Sequence, residues 1–164
     1  MHHQPDGAAF DVVLLLHVGC VVAGLVTTGT AAATASRVRR LVGSPQRLPE
    51  PLRRYFRPGV NWAGRTIYGI PVFGFALLAM SDGAYALAQG WVLGGLAVFA
   101  AVALVGEGVL WPAEQRLQVA LADGDAAPGA SGGRVERDAT AMARAAAAVL
   151  VLLVAGTVLM VAQP

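Results

Sequence analysis

The sequence predicts an all-α, polytopic membrane protein: a four-transmembrane-helix bundle forming one transmembrane domain over residues 1–164. Three observations carry that prediction. Of the 164 residues, 56% are hydrophobic and only 13% are charged, whereas soluble domains carry about 25% charged residues. Four runs are apolar for about 20 residues, the length needed to cross about 30 Å of hydrocarbon. The charge gathers between those runs in an alternating fashion. A soluble core of this size could not hide so much apolar surface.

The first run covers residues 12–35, "VVLLLHVGCVVAGLVTTGTAAATA". No arginine precedes Arg37 and the apolar stretch exceeds a secretory h-region, so it reads as a retained helix. The second run covers 66–87. Pro71 lies early in it and should kink the helix or begin its regular part, with Gly69 and Gly74 on either side. The third runs from 91 to 111, with Trp91 and Trp111 as its bounds, and the fourth from 141 to 161. None alternates with period two, and all exceed strand length. In lipid they must be helices, since open strands would leave backbone groups unsatisfied.

The links fix the expected direction. All twelve basic residues are arginine. The stretch 36–65 holds eight of them, and 112–140 holds Arg116, Arg134 and Arg137; the N-terminal segment, the short second link and the C-terminal tail hold none. By the positive-inside rule both long links face the cytoplasm and both termini face outward. Trp62 and Trp111 would then sit at the cytoplasmic interface, Tyr85 and Trp91 at the outer one. Four prolines in 44–59 forbid one continuous helix there. Seven arginines oppose the single Glu50 between Ser36 and Gly64, a net +6. Arg37, Arg39, Arg40, Arg53, Arg54 and Arg57 are thus candidates for resting on anionic lipid headgroups or docking an acidic partner. The second long link is small, polar and Gly-rich and reads as a tether, with Asp138 or Thr140 as cap of the fourth helix.

With no hydrophobic drive between helices in lipid, small residues must let backbones approach. Gly24, Thr28 and Ala32 lie four apart, as do Gly90 and Gly94, and Ala143 and Ala147. Together they predict a compact left-handed bundle.

Ionisable groups at membrane depth are functional candidates by default. His17 lies six residues beyond Asp11, about 9 Å along a helix. Asp82 follows the second apolar run at a similar expected depth, and Glu107 lies far along the third, between Gly106 and Gly108. A His17–Asp82 pair could carry a proton, meet a quinone headgroup or donate metal ligands; alternatively His17 only hydrogen-bonds across helices. Glu107 is either a site residue or a headgroup-level carboxylate paired with Arg65 or Arg116. His2 and His3 begin the chain, and a free amine, two amides and the third-residue imidazole can wrap Cu(II) or Ni(II). Candidate metal ligands are therefore His2, His3 and His17. The lone Cys20 excludes an internal disulfide. No Walker A, HExxH, CxxC or GxSxG motif occurs, and nothing points to nucleic acid. Two imidazoles facing each other in the membrane are not available within one chain, so haem would have to be shared with another chain or held by one residue.

"LLLHVGCVVAGLVTTGTAAATASRVRR" resembles the first helix of small bacterial membrane proteins related to copper-resistance protein D, in which "LLH" followed by small residues opens a four-helix unit. Trp91 and "LWPAEQRL" are similar to the opening and the Pro-containing close of that unit's third helix. The small four-helix protoporphyrinogen oxidases share a similar "LHV" start. The resemblance covers about 14–117, includes an uncharacterised integral-membrane family, and implies a role for His17 alone. The oxidase-like relatives also use a basic residue deep in a later helix, and spans two and three contain none. Three function classes follow: a non-catalytic accessory subunit or scaffold packed in a larger membrane complex, such as a respiratory one, or in a homo-oligomer; a copper-handling or small-solute transport protein using His17; and a haem- or quinone-linked redox protein.

Overall fold

The computed structural model describes residues 7–42, 48–81, 85–122 and 132–162. The chain is all-α, with no strand among the described residues. The helices are α1 (Ala8–Leu41), α2 (Glu50–Tyr55), α3 (Trp62–Arg65), α4 (Gly69–Ala79), α5 (Gly90–Val105), α6 (Trp111–Ala122) and α7 (Gly132–Ala162). A 3₁₀ turn at Thr66–Tyr68 joins α3 to α4, and a π turn at Gly106–Leu110 joins α5 to α6. Ala8–Leu41, Trp62–Ala79, Gly90–Ala122 and Gly132–Ala162 are each long and apolar enough to span a membrane.

Burial shows what solvent these helices suit. Only 6% of the most apolar stretch of α1 is buried, and 22% of that of α7. Leu15, Val26, Val151 and Val161 are 62–81% exposed. So continuous an apolar exterior is a membrane protein's surface. The hydroxyls obey the same constraint. Thr27, Thr34 and Thr157 each donate to the carbonyl four residues back, Ala23, Thr30 and Leu153, at 2.8, 2.6 and 2.8 Å. Their polarity is thereby satisfied within one helix.

The described contacts divide the chain into two compact units. The first gathers α1 up to Thr27, the stretch Asn61–Val102, and α7 from Val151. Its four helices pack up-down-up-down through missing side chains. A Cβ on Gly24 would lie 2.8 Å from Ile67 Cγ2, and one on Gly69 would collide with Cys20 Sγ. Between α5 and α7, Gly94 receives Leu159, Gly95 receives Met160, and Gly156 receives Val98. Tyr68 meets Phe99 edge-on at 6.0 Å, joining the second and third spans. Leu153, 3.6 Å from the Gly24 position, closes the ring of contacts between α7 and α1. Tyr85 and Trp91 pack edge to face at 5.6 Å at the start of α5.

The second unit comprises Thr28–Val60 and Ala103–Leu150. Its core is Ala31, Ala35 and Val38 of α1, Leu52 and Phe56 around α2, Trp111, Ala113 and Leu117 of α6, and Val135, Ala139, Met142, Ala146 and Val149 of α7. The prolines act as the sequence predicts: α2 lasts six residues, beginning after Pro49 and ending before Pro58. Gly59 has φ +146°, a conformation that favours glycine, and its N–H donates to Gln118 Oε1 at 3.2 Å.

Several boundaries move from their expected places. Helix continues past Trp111 to Ala122, because Pro112 does not end it. Proline lacks the N–H that would serve the carbonyl four residues back, and the ladder re-registers as a π turn in which the Trp111 N–H reaches Gly106 O. The fourth helix begins at Gly132, so neither Asp138 nor Thr140 is its cap. The second span is regular only from Gly69 and stops at Ala79; Ser81 Oγ then donates to Leu78 O at 2.8 Å, a local turn bond that competes with helix. Gly94 makes a close approach, whereas nothing lies within 4 Å of the Gly90 position. Ala147 is exposed.

Asp138 instead accepts from Arg116 Nε at 2.8 Å, tying α6 to α7. The Arg116 side chain is 54% exposed. Replacing it with alanine should therefore cost less than about 1 kcal/mol, and the difference should shrink in high salt, which unfolding at two ionic strengths would check.

Candidate functional site

His17 occupies an inner position of α1. Counting along that helix, His17, Val21 and Gly24 continue into Thr28, Ala31, Ala35 and Val38, a spacing of four and three that repeats every seven residues. That 3.5-residue period belongs to left-handed helix packing. The imidazole therefore points toward a neighbouring helix, and that neighbour is α4.

The side chain is half-buried, and its Nδ1–H donates to the backbone carbonyl of Ile70 at 2.9 Å. A carbonyl can only accept, so Nδ1 carries the proton, and Nε2 has no hydrogen-bond partner among the described residues. A small residue lies beside the approach. A helical carbonyl points along the axis toward the residue four ahead, here Gly74. A Cβ on Gly74 would lie 3.4 Å from His17 Cε1 and 3.6 Å from Nδ1. That is ordinary contact distance, so alanine would also fit, while a longer side chain there would crowd the ring. One turn on, Cys20 packs on Gly69, and a further turn on, Gly24 packs on Ile67. The antiparallel contact of α1 with α4 is thus a ladder of small residues with one polar rung.

Asp82, His2 and His3 lie outside the described residues. Glu107 is exposed within the π turn. Among the described residues, no three His, Cys, Asp or Glu side chains gather as a metal site. Arg37, Arg39, Arg40, Arg53, Arg54 and Arg57 are all exposed. Arg53 lies 4.0 Å from Glu50.

Two polar residues that sequence reasoning passed over are buried in the second unit: Glu114 is 4% and Gln118 5% exposed. They lie four apart on α6, on the face shared with Trp111 and Leu117. The signal was there in their spacing, hidden because that stretch reads as a polar link once Pro112 is taken as a helix end.

No protein-family model, curated protein or solved structure matches this chain.

Proposed function

We propose that the protein is a non-catalytic integral-membrane subunit that packs as a scaffold within a larger assembly. The assembly sits in a bacterial inner membrane, with both chain ends outside and the arginine-bearing links in the cytoplasm. The observation that carries this reading is the use made of His17. An imidazole within an apolar span is engaged through Nδ1 with the Ile70 carbonyl, where it locks α1 to α4 across a glycine-lined contact. Polar bonds of this kind hold membrane helices in register. The apolar outer faces, little buried within the chain, provide broad surfaces for lipid or for neighbouring subunits. Purification in mild detergent tests the proposal: stable co-purification with larger membrane subunits supports it, and a chain recovered alone at every detergent strength overturns it.

One observation favours a second reading, in which His17 is a ligand. Metal-bound histidines characteristically donate the other ring N–H to a carbonyl or carboxylate, which fixes the tautomer and aims the ring. The Nδ1–H to Ile70 bond does this and leaves Nε2 for copper or for one face of a haem. The resemblance of the first span to relatives of copper-resistance protein D points the same way.

Two substitutions separate the readings. His17→Ala removes both nitrogens and should lower stability by about 0.6–2 kcal/mol. His17→Asn can place an amide N–H where Nδ1–H stood, but has nothing at the Nε2 position. On the scaffold reading His17→Asn recovers most of the lost stability and leaves partner retention intact. On the ligand reading it folds well and still loses copper, or the Soret band, of the wild type.

A further inference from the structure

We propose that the cleft between the last turns of α1 and the start of α2 holds the phosphate headgroup of one anionic phospholipid. This goes beyond the scaffold assignment and does not depend on it; it rests on the membrane character of the four apolar helices. The cleft has a volume of about 210 Å³ and is lined by Arg37, Arg40, Leu41, Pro49, Pro51 and Leu52. That is room for a phosphate ester, not for a whole lipid.

The lining has two chemistries. Arg37 and Arg40 are three apart and so share a helix face. Both are exposed, and neither meets a carboxylate among the described residues. Glu50, the one acidic residue of the surrounding stretch, lies with Arg53 instead. The helix dipole favours a cation in the last turn, which accounts for Arg39 and Arg40 without any ligand. It does not account for Arg37, which lies before that turn and faces the same cleft. Two guanidinium groups can each give paired N–H donors to phosphate oxygens. The remaining lining, two leucines and two prolines, suits the glycerol and the first methylenes of acyl chains. A free phosphate would gain nothing from those four residues, so the observations favour a lipid.

The prolines make the cleft a built feature. Pro49 and Pro51 fix φ on both sides of Glu50 at the entry to α2. Leu52, 6% exposed, anchors that entry in the core. The far wall is therefore held without a ligand, and the arginines have a rigid surface opposite them.

The test uses the full-length chain, delipidated in mild detergent and titrated with phosphatidylglycerol, phosphatidylcholine or inorganic phosphate, with bound lipid counted by native mass spectrometry. One phosphatidylglycerol per chain should be retained in preference to phosphatidylcholine, and inorganic phosphate should not displace it. R37Q/R40Q should weaken retention roughly thirty-fold, about fivefold per arginine. R54Q/R57Q removes the same charge from exposed positions outside the cleft and should weaken it several-fold less. Pro51→Asp keeps both arginines but sets a carboxylate opposite them; it should match the R37Q/R40Q loss, giving a second route to the answer if the arginine pair proves to affect folding. Equal losses in the two arginine pairs, equal retention of phosphatidylcholine, or displacement by inorganic phosphate would each overturn the proposal.

Discussion

Trp111→Ala should destabilise the protein by about 3–5 kcal/mol, the range for truncating a buried tryptophan, measured by unfolding in mixed micelles of rising denaturing-detergent fraction. The indole is 5% exposed and lies over its own chain at the π turn. A Cβ on Gly106 would sit 3.1 Å from Trp111 Cη2 and 3.2 Å from Cζ3, so the ring packs where a side chain is missing. Leu110, 6% exposed, and Leu117, fully buried, belong to the same core. Removing the ring empties the inner side of the turn that Pro112 forces on the helix. It also unpacks the segment that presents Glu114 and Gln118. Trp62→Ala is the matched control: that ring is 75% exposed, and its loss should cost about 0.5 kcal/mol or less. Equal effects at the two positions would mean that Trp111 faces headgroups, as its place beside an arginine-bearing link suggests, and not the protein interior.

That contrast shows where sequence reasoning works here and where it stops. The number and type of the elements follow from four apolar runs and the cost of unpaired backbone in lipid. Depth alone cannot tell an interfacial tryptophan from a buried one, because both stand at the end of an apolar run. The spacing of inner positions decides it: on α6, Trp111, Glu114 and Gln118 share one buried face, and in α7 a seven-residue repeat of inner positions runs through Val135, Ala139, Met142, Ala146, Val149, Leu153, Gly156 and Met160. The repeat begins six residues before the hydropathy does, and the helix nine: residues 132–140 look like a tether because they carry charge, yet Val135 and Ala139 already lie on the buried stripe. Asp138 lies beside that stripe and serves as Arg116's partner, not as a cap.

The candidate site was half legible for a related reason. That His17 matters could be read from its placement in an apolar run. Its partner could not, because the acceptor is a backbone carbonyl, which every residue carries. The usable clue was on the other helix. Gly69 and Gly74 bracket Pro71 among Ile67, Tyr68, Ile70, Phe73 and Phe75, and glycines so placed mark where another helix comes close. Of the two expectations for His17, the hydrogen bond across helices is made, to the Ile70 carbonyl; Asp82 lies outside the described residues.

The closeness of that contact sets the other large effect, at Gly24. Gly24→Leu should destabilise by about 1–3 kcal/mol through overpacking, despite leucine's better helix propensity, worth about 1 kcal/mol in the opposite direction. The first added carbon alone would lie 2.8 Å from Ile67 Cγ2 and 3.6 Å from Leu153 Cδ1. Ile67 is β-branched, stiff at χ1 and 2% exposed, so it cannot swing away. The helices must part instead, and parting them lengthens the His17–Ile70 hydrogen bond two turns along α1. Gly29→Leu, on the same helix with nothing within 4 Å of its Cβ position, should be neutral or stabilising. Combining Gly24→Leu with Ile67→Ala should cost less than the two changes summed, with a coupling of about 1 kcal/mol or more, since the leucine fills the space the isoleucine vacates. Additive costs in that cycle, or a Gly29→Leu as damaging as Gly24→Leu, would show that α1 and α4 are not in the contact that positions His17. The clamp at the centre of the proposed function would then lose its basis.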